Sequence, residues 1–192
     1  MPDDPISVFV ATMAGRLPVP AGAWYGLVET RWSYRRPISY EVRDTAQRPV
    51  ATVVPADTST RTRSLVIAGG EVRLVIDIDR AGDTTVSDSG DRQLGRLLNR
   101  SGIWRCRLVI HENGTEIGSL RQPWRRAPLA DIQVADHAKA AQVHRSSRGR
   151  FAGARLSWFD LTPHAGRVPA PLLFAAVPAL DAARRKERRR LR

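Results

Sequence analysis

The stretch "DIDRAGDTTVSD" is the first place in this sequence where side-chain chemistry is conceivable. It sets Asp77, Asp79, Gly82 and Asp88 at positions 1, 3, 6 and 12 of a calcium-loop template. Position 5 is Ala81, and position 12 is an aspartate where the template wants a bidentate glutamate. The flanks alternate like strands, so the expectation is a strand with outward aspartates running into a turn, with Asp77, Asp79 and Asp88 kept only as a weak calcium candidate. The histidines, His111, His137, His144 and His164, show no metal-ligand spacing with one another or with Cys106. Cys106 falls on the apolar side of its segment and reads as a buried, inert thiol. Nothing resembles a nucleophile elbow, a phosphate-cradling glycine loop or a dinucleotide fingerprint. No general acid and base can be named, so the expectation is a non-catalytic protein without a cofactor.

What the sequence offers instead is positive charge. Net charge is +12 over 192 residues. The final nine residues hold Arg184, Arg185, Lys186, Arg188, Arg189, Arg190 and Arg192 against Glu187 alone, so half of the excess sits there. Other clusters are Arg31, Arg35 and Arg36; Arg121, Arg125 and Arg126 around Trp124; and Arg145, Arg148 and Arg150. Tryptophan among arginines suits a membrane interface, with the indole at headgroup depth and guanidiniums on phosphates. The same residues suit a single-stranded nucleic acid, with bases stacked on the indole. A merely solubilising surface would also look like this.

The elements that must carry these residues are mostly strands. "EVRLVIDID" sets Val72, Leu74, Ile76 and Ile78 on one face; "WRCRLVIH" does the same with Trp104, Cys106, Leu108 and Ile110. Such alternation marks strands wet on one side, the habit of antiparallel sheets. Three segments repeat: "VRDTAQRPVATV", "VSDSGDRQLGRL" and "VIHENGTEIGSL". Counted from Asp44, Asp88 and His111, a small residue follows at Ala51, Gly95 and Gly118. "VADHAKAAQV" is a shorter fourth copy, running from Asp136 to Ala141. Each reads as a β-hairpin with a polar turn and a small residue at a crowded or bulged spot. Residues 1–39 read as loop plus one strand near "AWYGLVETRW".

The chain closes differently. "PLLFAAVPALDAAR" cannot alternate as a strand; Leu and Ala favour helix, Pro171 suits its first turn, and Pro178 removes a bond inside it. Leu172, Leu173, Phe174, Val177 and Leu180 leave no polar side before Asp181. From Pro171 to Arg184 the helix would be about 21 Å long, short of the ~30 Å hydrocarbon core of a bilayer. A helix apolar all round and too short to span must be surrounded by protein. A closed antiparallel barrel of about ten to twelve strands wrapped round it buries helix and strands together.

The hairpin segments, with "YEVRDTAQRPVATV", "VSDSGDRQLGRLL" and "VIHENGTEIGSL", and the closing "PLLFAAVPALDAAR", resemble the tubby C-terminal-like superfamily, in particular its bacterial branch similar to LURP-one and phospholipid scramblases. The resemblance covers residues 38–184. It implies a twelve-stranded barrel around a hydrophobic helix and a non-enzymatic role at membranes, through phosphoinositide headgroups or lipid redistribution. The chain lacks the Pro- and Cys-rich N-terminal region of animal scramblases and a compact tubby-type Lys/Arg phosphoinositide motif, so a lipid preference does not carry over.

The expected organisation is one barrel domain over residues 1–184, with residues 170–184 as central helix and 185–192 as a basic tail. The acidic, short N-terminal apolar run is unlike a secretory signal, and one cysteine fits a reducing compartment, so the expected location is cytoplasmic, peripheral at the inner membrane face. The expected partner is an anionic phospholipid surface, contacted by Arg121, Trp124, Arg125, Arg126 and the basic residues from Arg184 to Arg192. The alternatives are nucleic acid held by the tail or a protein-interaction scaffold.

Overall fold

A computed structural model describes residues 4–30, 39–56, 62–102, 105–123, 127–146 and 156–190, with backbone alone over 184–190. Twelve antiparallel strands form a closed barrel in which each strand pairs with its sequence neighbours, and β1 (Gly22–Glu29) pairs with β12 (Leu156–Leu161) to close it. Closure leaves no sheet edge to invite aggregation. A helix α1 (Pro5–Met13) precedes the barrel, and α2 (Ala170–Arg190) ends the chain.

The repeated hairpins are real units. At the β2–β3 turn (Tyr40–Arg43 to Pro49–Pro55), Asp44 Oδ1 accepts the Arg48 N–H at 2.8 Å and Oδ2 accepts Arg48 Nε at 2.8 Å. The β6–β7 turn (Thr84–Asp88 to Gln93–Asn99) repeats this with Asp88 and Arg92, at 3.0 and 2.9 Å. Each turn carries a left-handed residue, Gln47 or Asp91. The small residues lie across from an inward apolar residue next to a bulge: Ala51 opposite Val42, Gly95 opposite Val86, Gly118 opposite Ile110 and Ala141 opposite Ile132. The reason is crowding. A Cβ on Gly95 would lie 2.6 Å from the His111 carbonyl and 2.7 Å from Leu172 on α2; one on Gly118 would lie 2.3 Å from the Gln133 carbonyl.

Every residue of α2 from Ala170 to Asp181 is buried, so the all-apolar helix threads the barrel. Strand faces fall as the alternation requires at Leu74, Ile76, Ile78, Cys106, Leu108 and Ile110, which point inward, whereas Val72, at a register shift beside the turn, is only half-buried. Trp104 lies outside the described residues.

Two expectations need correction. Residues 1–39 are not loop plus one strand, because α1 lies there; Asp4 caps it, accepting from the N–H groups of Ile6 and Ser7, and Pro5 occupies the first turn. Phe9 of α1 is fully buried edge-on against Tyr25 and Phe174, at 4.9 and 5.7 Å between ring centres. The helix therefore plugs the end of the barrel at which α2 begins. The central helix also does not stop at residue 184: its backbone continues through the basic segment to Arg190.

Candidate anionic-surface site at the helix exit

An up-and-down barrel sorts its connections between two ends. The end where α2 begins is shut by five turns, 44–48, 69–70, 89–92, 113–114 and 135–138, and by α1. These turns hold two arginines and three aspartates, and the aspartates Asp44 and Asp136 are tied to Arg48 and Arg167. The end where α2 leaves is spanned by connections 30–39, 56–61, 79–83, 100–105, 123–128 and 146–155. These contain twelve arginines against three aspartates. Through the same end α2 carries Arg184, Arg185, Lys186, Arg188, Arg189 and Arg190 outward on helical backbone, about 10 Å at 1.5 Å per residue. Strand order thus joins the segments that carry these clusters to strand ends on one side of the barrel.

The helix is gripped where it leaves. Asp181, 5% exposed, accepts a hydrogen bond from the Tyr40 hydroxyl at 2.7 Å and an ion pair from Arg145 Nη1 at 2.5 Å. Tyr40 begins β2 and Arg145 ends β11 (Lys139–Arg145), the strands on either side of the β1–β12 closure. One helical carboxylate therefore brackets the seam of the barrel. Beside it lies a cavity of about 10 Å³, lined by Gln122, Ser157, Val177, Leu180, Arg145 and Asp181 among others. That is room for one water molecule, and Arg145 Nε, buried, has no hydrogen-bond partner among the described residues. That cavity is too small for a headgroup.

The weak calcium candidate is dispersed. Asp77 pairs with Arg63 through two contacts of 2.8 and 2.9 Å, Asp79 Oδ1 accepts the Asp83 N–H, and Asp88 lies at the far end of β6, bonded to Arg92. Among the described residues no cluster of His, Cys, Asp and Glu gathers as for a metal ion. His111 lies one residue before the end of β8 (Cys106–Glu112), His137 sits in a turn, His164 precedes a 3-10 turn, and His144 stacks on Trp158 with ring centres 5.1 Å apart. Cys106 is buried.

Of the expected surface residues, Arg121 stands exposed on the outer wall in β9 (Thr115–Gln122), one residue before the end of that strand on the helix-exit side, its Nε donating to Ser119 Oγ at 3.2 Å. Trp124, Arg125, Arg126 and Arg192 lie outside the described residues, as do Arg31, Arg35, Arg36, Arg148 and Arg150, though their segments join strand ends at the exit. Leu172, Leu173, Phe174, Val177 and Leu180 are the barrel's central packing. The Asp181 clamp and α1 are the two features not expected from the sequence. The clamp's signal was an acidic residue interrupting an otherwise apolar helix, which had to find partners once buried. For α1 it was Asp-Pro ahead of an apolar run.

A closed twelve-stranded antiparallel barrel threaded by its C-terminal helix is the class these features define. The X-ray structure of an Arabidopsis thaliana protein, AT5G01750, shares it: TM-score 0.60, 13% identity, covering 88% of this chain and 96% of that one. At that identity the likeness concerns the fold alone. No family model and no curated protein matches the sequence. Among the described residues no helix is long and apolar enough to cross a membrane.

Proposed function

We propose that this is a non-catalytic protein of the LURP-one-related, scramblase-like branch of the tubby-type barrels that binds anionic phospholipid surfaces peripherally. One observation carries the reading: the segments that join strand ends on the side where α2 leaves hold twelve arginines against three aspartates, and α2 runs on through its basic residues there, while the turns of the opposite end are charge-balanced. Each cation near an anionic bilayer contributes about 1 kcal/mol, and the field fades within about a Debye length, so a gathered cluster binds where a dispersed one does not. The clamp at Asp181 supports the same reading, because it fixes the helix against the barrel just before the cationic residues begin. Binding of this kind is reversible and suits a cytoplasmic protein at the inner membrane face.

Nucleic acid is the second reading, since phosphates attract the same cations. Removing residues 185–192 and comparing vesicles with duplex DNA separates the two. Loss of vesicle binding with no DNA binding at about 0.15 M salt in the full chain supports the lipid reading. DNA binding that exceeds vesicle binding at that salt, and is lost on truncation, overturns it.

A further inference from the structure

The outer wall next to the helix exit carries an apolar patch that charge attraction does not use. Leu129 begins β10 (Leu129–Val134) and is 38% exposed, one of the few large apolar side chains so placed. In register across the wall it meets His144 on β11, which meets Trp158 on β12, which meets Gly26 on β1. The imidazole and indole stack nearly flat, 13° apart, and make one platform. Gly26 has no side chain to interrupt the row, and Leu156 leans into that space, 3.1 Å from where a Cβ would stand. Val28, opposite Leu156, completes the patch. All six residues stand at or near the exit ends of their strands, so the patch adjoins the cationic end.

We propose that this rim inserts into the lipid interface, so that the barrel docks tilted, with its β10–β11–β12–β1 side lowest. The inference rests on the anionic-membrane reading and names the part of the surface that goes deepest. The occupant is fixed by continuity: a surface that draws the cationic end to phosphates brings the adjoining indole and leucine to headgroup depth. Tryptophan favours that depth because its ring is apolar and its N–H finds a polar partner there. A nucleic acid offers nothing for Leu129, Leu156 and Val28 to leave water for. Insertion adds a component that salt does not screen, since transfer of apolar area is indifferent to ionic strength.

The test uses the full chain and vesicles of phosphatidylcholine with phosphatidylserine, their chains brominated near the headgroup. Bromine quenches indoles at interfacial depth, so the difference between wild type and Trp158→Phe isolates Trp158. The expected result is stronger quenching in wild type, and a three- to tenfold weaker partition for Leu129→Ser, on the order expected for partial loss of one leucine's burial. Leu129→Ser changes an exposed side chain, and an unchanged unfolding temperature confirms that it folds. Salt-sensitive binding with equal quenching in wild type and Trp158→Phe, and an unaltered Leu129→Ser, overturns the inference while the electrostatic reading stands. No binding of wild type to these vesicles at low salt overturns both.

Discussion

Asp181 is the residue on which the inside of the barrel turns. It is the acidic group in the buried part of α2, and Tyr40 and Arg145 answer it. Asp181→Ala strands the largely buried Arg145 cation and should cost about 3–5 kcal/mol, whereas Tyr40→Phe removes one hydrogen bond to a carboxylate and should cost about 1.5–3 kcal/mol. Urea unfolding of the two variants measures both, and equal, small losses would contradict the clamp. Gly95→Val should destabilise by about 1–3 kcal/mol or more, because the neighbour at 2.6 Å is a backbone carbonyl that cannot turn aside. The surface aspartates set the acid limit. Asp136 is held below the ordinary carboxylate range first by the Arg167 guanidinium and then by the Ala138 N–H. Asp4 is lowered first by the Ser7 hydroxyl and then by the Ile6 N–H. Depressed carboxylates stabilise the fold above their unfolded value of about 3.9, and that contribution is lost as pH falls through the folded value. Unfolding temperature should therefore be level from pH 7 to about 5 and drop below about 4.

At the scale of elements, the alternation of strands and the apolar closing helix were legible because burial writes its period directly into residue type. The hairpins were legible through Asp44, Asp88 and Asp136, since a turn needs an acceptor for its own N–H groups. What escaped was whatever depends on distant partners. Ala51, Gly95, Gly118 and Ala141 announced crowding, but that Leu172 presses on Gly95 follows only from the closed barrel. Helix α1 escaped because a nine-residue helix with apolar residues on several sides has little periodicity; its reason for forming is the cavity that Phe9 fills. Burial pushes the Tyr25 hydroxyl up to about 12, with a hydrogen bond to Thr12 of α1 acting against it and Asp44 adding to it. A raised tyrosine stabilises the fold below its unfolded value of about 10, and the contribution is lost as pH rises through 12. Ultraviolet titration should thus find one tyrosine ionising near pH 12, together with loosening of α1, and ionisation of all tyrosines near 10 would contradict this packing. Truncation after Arg184 should leave unfolding temperature within about 2 °C of the full chain, since the residues removed follow the buried part of α2.

The whole molecule joins an end closed by α1 and charge-balanced turns to one whose connecting segments are rich in arginine. The sequence displayed the clusters but not their gathering, because only strand order decides which connections share an end. Pairing each strand with its neighbour sends alternate connections to opposite ends, and the arginines fall almost entirely in one set. The most direct test is co-sedimentation of the full chain with neutral and anionic vesicles across a salt series. Pelleting is expected with anionic vesicles alone, mostly reversed by about 0.5 M salt, where the Debye length is only a few ångströms. Protein that stays in the supernatant with both vesicle types at low salt would contradict it.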